Sequence, residues 1–490
     1  MIMKYKLLKS SIVVFLIGAI AISCSDSFVD VDSFDEDSES FFNSEEDYQS
    51  ALIGAYDLLQ SSYLNVMLGE IASDNTLAGG ESATDVPGIQ EVDNMTHNPV
   101  NAQLRDIWSW MFAGVNRANY ILEFKEKTDF AGKEQVLAEA TFLRAYYYFE
   151  LVKWFGDVPL SVDKRLLFGD QDVAERTPKA EVYAQIELDL IFAAANLPAV
   201  QSETGRATKG AAQALLGKVY LYQDKFSEAA IVLEEVINSG PYDLVTDYNS
   251  IFEQAGENNI ESVFEVQYTD VEGAGFGCLQ CSEGNVAVGF NGIRNYTGPD
   301  FDSGFSFNVP TQEAYNAFEA GDIRRDVAVL NIVTWAQQTG ATYVEGFEHT
   351  GFYNRKYIAR KGDLNTGDSN LTNPNNYRAI RFADVLLMAA EANNRKSASD
   401  NLKAQAYLNR VRDRAGLLPV LVTGASLTDA IYQERRIELM GEGHRFFDLV
   451  RTGTAAQAIP GFSAGKNELF PIPSIEIELA GNRWAQNAGY

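Results

Sequence analysis

Cys278 and Cys281 stand three residues apart in "GFGCLQCSEG", the one C-x-x-C of the chain. That spacing suits thiol–disulfide chemistry or half of a zinc site. Zinc needs a second pair, and the only other cysteine is Cys24. A thioredoxin-like centre needs a strand–helix setting, which the surrounding glycines argue against. A disulfide and free thiols remain, and the compartment decides between them. The string "GFSAG" at 461–465 fits the G-x-S-x-G nucleophile elbow, which requires a strand before it, a helix after it and a later histidine. The last histidine is His444, so the match carries no chemistry. His97, His349 and His444 are too scattered for a zinc pattern. "DVDSFDED" lacks the glycine and spacing of an EF-hand loop, and the chain has no phosphate loop. No catalytic residue, metal site or cofactor is expected, so the chemistry to look for is non-covalent binding.

Cys24 has a different setting. Lys4, Lys6 and Lys9 make a basic start, and Ile12 to Ile22 form an almost unbroken apolar run. The run falls short of the ~20 residues that a spanning helix needs. Residues 1–23 read as a secretory signal peptide, with Ala21 and Ser23 as the small residues before the cut. A cysteine that becomes residue one after cleavage resembles the bacterial lipobox, with Ala21 where leucine is usual. Cys24 is therefore the expected lipidation site. Export also permits a Cys278–Cys281 disulfide, favoured here over free thiols. So small a ring would act locally, stiffening a glycine-rich loop. Residues 24–43 read as an acidic flexible tether, too poor in apolar residues to fold. The 490 residues carry a formal net charge of −29. That charge excludes nucleic acid as an expected partner, since such binding needs Lys and Arg against phosphates. It also argues against adhesion to an anionic membrane, leaving the lipid as the expected membrane contact.

Residues 44–490 are expected to form a single domain that is mainly α. The helical scaffold is placed at 44–240 and 376–453. Helices are predicted at 44–61, 101–127 and 133–154, and another after Thr177 as N-cap with Pro178 at its first position. Leu216, Gly217, Tyr220, Ala229, Leu233, Val236 and Pro241 fall where a tetratricopeptide repeat places Leu-Gly, Tyr, Ala, two apolar residues and Pro. Ala404, Leu408 and Val411 repeat the second half loosely. Stacked helix pairs are the implied scaffold. Tyr146, Tyr147, Tyr148, Phe149, Trp154 and Phe155 point in nearly all directions on a helix, which predicts burial rather than a stacking platform. Arg435, Glu438, Glu442, Arg445, Asp448 and Arg451 step by three or four and are expected to be structural ion pairs. Gly441 and Gly443 are expected to bend or end that helix. From about 241 to 375 the helical period is lost, leaving a loop-rich part with a few short strands, and such long loops are usually functional.

"AEATFLRAYYYFELVKWFGDVPL", "RAIRFADVLLMAAEA", "LNRVRDRAGL", "ERRIELMGEGHRFFDLVRTG" and "LFPIPSIEIELAGN" resemble, in order, the recurring blocks of the SusD/RagB family. That resemblance implies a SusD-like fold with a tetratricopeptide-like half and an irregular ligand-binding half. It also implies a non-enzymatic outer-membrane lipoprotein that caps a SusC-like TonB-dependent transporter and captures a nutrient, usually a glycan.

Sugars present flat C–H faces and hydroxyl edges, held by aromatic rings and by Asn, Asp and Arg hydrogen bonds. Phe276, Asn291, Arg294, Asn295 and Tyr296 bring those types together in one irregular segment. Trp335 lies in a second, with core packing as its alternative, and Asp74 and Asn75 lie between two helices. These are the expected ligand contacts. Between Val271 and Pro310 the only basic residue is Arg294, against Glu272, Glu283, Asp300 and Asp302. A neutral glycan is therefore expected, unless folding brings Arg324, Arg325, Arg355 or Lys356 to the groove. A peptide ligand, or a helical-repeat scaffold that binds only its partner protein, are the alternatives.

Overall fold

The computed structural model describes residues 41–167, 169–170 and 174–490. The expected signal peptide, Cys24 and the expected tether up to residue 40 lie outside them. Packing begins before residue 44: Phe42 is fully buried against Tyr48, Tyr120 and Phe124. Ser44 then starts the helix Glu45–Asp57 with a capping box, its hydroxyl accepting from the Asp47 amide while the Asp47 carboxylate accepts from its own N–H. The predicted stripe Tyr48, Leu52 and Ala55 is buried. The helix does not run to residue 61. It tightens into a 3₁₀ turn, Leu58–Ser62, and restarts as Tyr63–Ile71.

The helices Ala102–Glu123, Lys133–Phe155, Lys179–Asn196, Lys209–Leu221 and Phe226–Ser239 stack in chain order. Phe382–Arg395 continues the stack from Phe226–Ser239 and carries Asn401–Arg414 and Ala425–Glu438 in turn. This is the helix-pair scaffold that the repeat spacing predicts. Gly217 explains one close approach, since a Cβ there would sit 2.4 Å from Leu233 Cδ2. Lys133–Phe155 is enclosed by neighbours on several sides, and Tyr146, Tyr147, Tyr148, Phe149, Trp154 and Phe155 are all buried. The fourth predicted helix starts one residue late. Thr177 is held in a bridge to Val158, Pro178 becomes the N-cap, and Asp157 Oδ1 accepts from the Lys179 amide at 2.7 Å.

Among the described residues eight short strands make four two-stranded ribbons. β1 (Thr76–Gly79) pairs antiparallel with β5 (Phe307–Pro310), and β3 (Ile293–Arg294) pairs parallel with β4 (Ser303–Gly304). β6 (Val329–Asn331) pairs antiparallel with β7 (Phe352–Asn354). β2 (Ser262–Val266) pairs antiparallel with β8 (Tyr377–Arg381), which runs directly into Phe382–Arg395 and so ties the irregular part to the scaffold. The main core draws on residues from Phe42 to Trp484, and small satellite cores form around Ile293 and Ala314.

A buried ion-pair lattice makes the second tie. Glu438 accepts from Arg324, Arg381 and Arg414, and Glu442 from Arg381 and Lys356. Arg435 bridges Asp384 and Asp448, and Arg451 bridges Glu391 and Asp448. The charge ladder is structural, as its spacing predicts. Gly441 and Gly443, both at φ +82°, turn the chain after Ala425–Glu438. Arg324 and Lys356 are fully buried in this lattice, so neither is a base that reaches a groove.

Candidate ligand-binding site

The residues expected to bind ligand separate into two groups. Asp74 and Asn75 face inward. The Asp74 carboxylate is gripped by Arg445 at 2.7 and 2.8 Å and by Arg436 at 3.2 Å. Burial alone would raise its pKa, but the two guanidiniums hold it below the ordinary value. Asn75 is fully buried, accepting from Arg436 Nε at 2.9 Å and donating to Glu70 at 3.1 Å. Asn291 is buried as well, donating to the Tyr357 carbonyl and accepting from Asn308. These three anchor loops and offer no surface to a ligand, which corrects the expectation for them. Tyr296 is another correction. Its ring lies in the satellite core, its hydroxyl donates to the Pro299 carbonyl at 2.7 Å, and that oxygen accepts from Trp335 Nε1 at 2.9 Å. Trp335 is half-buried against Phe301, with ring centroids 5.3 Å apart.

Phe276 and Arg294 meet at Phe305, and Asn295 follows Arg294 in the chain. Phe276 is 58% exposed, its amide donating to Asp368 at 2.9 Å. Its ring starts a row that leads into the core: Phe276 to Phe305 at 5.9 Å, Phe305 to Phe290 at 5.7 Å, Phe290 to Phe307 at 5.3 Å. The loop carrying it is closed by a Cys278–Cys281 disulfide. Arg294 donates to the Phe305 carbonyl at 2.8 Å and to Ser306 Oγ at 3.1 Å. Glu81 and Asp85 flank it at 3.7 Å each, and Glu81 is 76% exposed. Asn295 is exposed beside them.

The three loops behind this surface are pinned by backbone hydrogen bonds. Gly80 donates to Ser306, Phe347 donates to Gly80, and Val344 donates to Arg294. Beneath them Asp93 accepts from the Ala78 amide at 2.9 Å and Glu348 from the Gly79 amide at 3.4 Å. Burial, aided by the Glu348 charge, pushes Asp93 up to about 7. Backbone strain concentrates here: Val86, Asn295, Ser306, Asn308 and Glu348 all have φ between +43 and +59°. Such conformations cost about 1–3 kcal/mol each and persist where the surroundings over-determine them, often at ligand sites.

The result is an exposed apolar ring near a guanidinium, with one exposed carboxylate, Glu81, and one half-buried one, Asp85. That set stacks on a C–H face and exchanges hydrogen bonds with hydroxyls, without a nucleophile or an acid–base pair. Phe305, Glu81 and Asp85 are the members that sequence reasoning missed. The Gly79–Gly80 doublet and the alternation of Phe305 and Phe307 were their only signals. "GFSAG" sits in a turn with no strand before it. Among the described residues no cluster of three or more His, Cys, Asp or Glu is arranged to hold a metal, and no helix is long and apolar enough to cross a membrane.

Residues 287–469 match the SusD family, and residues 27–221 match the family described as "Starch-binding associating with outer membrane". A solved laminarin-binding SusD-like protein is 37% identical, with a TM-score of 0.84 over 92% of this chain and 100% of its own. The chain belongs to the SusD family. Surface glycan-binding protein A from Bacteroides thetaiotaomicron, solved with laminarihexaose, is 28% identical with a TM-score of 0.80, covering 90% of this chain and 99% of its own. SusD-like protein P2 of Formosa agariphila is 29% identical over 484 residues, 92% of this chain and 94% of that one. SusD proteins bind carbohydrate and are not catalysts, and the family associates with the outer membrane.

Proposed function

We propose that this SusD-family protein captures a neutral glucan of the laminarin type at the cell surface and delivers it to a SusC-like TonB-dependent transporter. Cys24 carries the lipid that holds it to the outer membrane, and residues 25–40 act as its tether. The observation that carries the ligand reading is the exposed Phe276 ring seated on Phe305 beside Arg294, Asn295 and Glu81. A solved relative described as laminarin-binding and another solved with laminarihexaose support the glucan.

Charge supports its neutrality. Arg294, the base beside Phe305, already stands between Glu81 and Asp85. Arg324 and Lys356 are consumed in the buried lattice. A sulfated or uronic-acid polymer would bring negative charge to an acidic rim without a free guanidinium fork to receive it. Calorimetry of residues 25–490 with laminarin and with an anionic polysaccharide, at low and high salt, tests this. Laminarin is expected to bind with micromolar or weaker affinity at both salt levels. Phe276→Ala is expected to weaken it about tenfold, the worth of one aromatic contact. Tight, salt-sensitive binding to the anionic polymer alone would overturn the proposal.

A further inference from the structure

A cleft lies away from the loop site, where the helical scaffold meets the start of the irregular part. It has a volume of about 390 Å³, within the range of ligand sites, and runs between residues 199–208 and 258–265. Tyr242 forms part of its wall. Its hydroxyl is 3.0 Å from Thr208 Oγ1, and its ring lies 6.4 Å from the buried Phe382 ring at an interplanar angle of 29°. Two glycines make room for it. A Cβ at Gly210 would sit 2.5 Å from the Tyr242 hydroxyl, and one at Gly240 2.6 Å from Cδ2. Four separate groups thus hold one half-buried aromatic ring at the cleft.

Opposite stands Asn258, held at φ +53°. Its side chain and that of Gln267 exchange two hydrogen bonds of 3.0 Å, which fixes the amide and leaves one N–H and one lone pair for a ligand. The charges of the lining are already paired. Glu203 is 2.7 Å from Arg206, and Glu265 stands 3.9 Å from Arg378 while accepting from the Asn258 backbone N–H. The exposed side chains of Val200 and Ile260 add apolar surface at the rim. A second cleft of about 330 Å³ continues across residues 203–206 to Glu283, on the loop that carries the disulfide.

We propose that the Tyr242 cleft is a second saccharide subsite, taking a neutral pyranoside unit of the same polymer that the loop surface holds. A preformed aromatic wall, a fixed amide, hydroxyls and neutralised charges suit a sugar better than an ion or a charged peptide. The inference rests on the neutral-glucan reading of the loop site. Two weak subsites on one chain give avidity for a polymer long enough to engage both, and none for a short oligomer.

Thr204 is exposed at the cleft, and Thr204→Trp fills it without removing a side-chain hydrogen bond. Residues 25–490 would be titrated with laminarihexaose and with laminarin as wild type, Thr204→Trp, Phe276→Ala and the double variant. Phe276→Ala is expected to weaken hexaose binding about tenfold, and the double variant to weaken it further. Thr204→Trp alone is expected to bind hexaose at the loop surface as wild type does, while polymer affinity falls ~100-fold. Circular dichroism melts check folding, and Asn258→Ala read by the same titrations replaces any variant that does not fold. One-site hexaose binding abolished by Phe276→Ala, with polymer binding indifferent to both cleft variants, would overturn the second subsite and leave the loop site standing. Cleft-dependent binding of a peptide pool in place of glucan would also overturn it. A wild type that binds no neutral glucan would overturn both readings.

Discussion

Glu438→Gln is the sharpest test of what joins the irregular half to the scaffold. The side chain is fully buried and accepts hydrogen bonds from Arg414 at 2.6 Å, Arg381 at 2.8 Å and Arg324 at 2.9 Å. Arg324 belongs to the irregular half, Arg381 ends β8, and Arg414 ends the helix Asn401–Arg414. Glutamine keeps the shape and removes the charge. Breaking a buried ion pair by neutralising one partner costs about 3–5 kcal/mol. The lower end applies, because each guanidinium keeps another carboxylate: Arg324 keeps Asp322 and Glu434, Arg381 keeps Glu261 and Glu442, and Arg414 keeps Glu261. A loss of about 3 kcal/mol is therefore expected in urea unfolding at pH 7. The cost should shrink in acid. Burial would raise the Glu438 pKa, but three guanidiniums and Lys356 hold it below the ordinary value. Its contribution is present above the unfolded pKa of ~4.3 and is lost as pH falls through the folded one. Glu438→Gln should thus converge with wild type as pH is lowered toward 2. A difference under ~1 kcal/mol at pH 7, or one that grows in acid, would refute the account of Glu438 as a clamp.

Three further outcomes are expected. Tyr296→Ala should lower stability by about 3 kcal/mol in urea unfolding, as removal of a buried aromatic does, whereas Phe276→Ala should change glucan binding with little effect on stability; the reverse pattern would exchange their roles. Asp93→Asn should stabilise the protein at pH 8 and not at pH 4. Burial raises the Asp93 pKa to about 7, so wild type has this carboxyl's full contribution below the unfolded pKa of ~3.9 and loses it as pH rises through 7; urea midpoints at both pH values measure this, and a gain confined to pH 4 would contradict it. Cys24→Ser should release the protein from the outer membrane and abolish acyl labelling, since acyl chains contribute about 0.8 kcal/mol per buried CH₂; retention at the wild-type level would count against lipid anchoring.

The helical scaffold was legible because helix periodicity is local. Leu216, Gly217, Ala229, Leu233 and Val236 declare their packing within 21 residues. The site was legible only in part, because its neighbours meet through long-range pairing. Ser306 reaches the Gly80 carbonyl across 226 positions, which brings Phe305 and Arg294 to Glu81 and Asp85. No window of sequence contains that contact. The misread residues fail for the same reason. Asp74 and Asn75 look like loop ligands until Arg445 and Arg436, 371 and 361 positions away, claim them. Tyr296 and Phe276 share a segment and a chemistry, but Trp335 and Pro299 satisfy the Tyr296 hydroxyl inside the satellite core. Phe276 has no polar atom to satisfy and only one ring neighbour, Phe305.

The two uses of arginine in this fold bear on ligand choice. The chain has 39 basic residues against 68 acidic ones. Many of the bases are spent inside, in the lattice around Glu438, Glu442, Asp384 and Glu391. Each buried guanidinium neutralises carboxylates there and is withdrawn from the surface. The pairs withdraw bases and carboxylates together, so the surplus of acid in the composition is left over, and the loop surface keeps a partly exposed arginine between two carboxylates. An anionic polymer approaching such an exterior is repelled at range before any contact forms. A neutral polymer is indifferent to that field, and on the proposed reading ring faces and hydroxyl hydrogen bonds hold it. On the proposed reading stability and selectivity draw on the same residues: the guanidiniums that fasten the irregular half to the helices are not at hand to receive an anionic ligand.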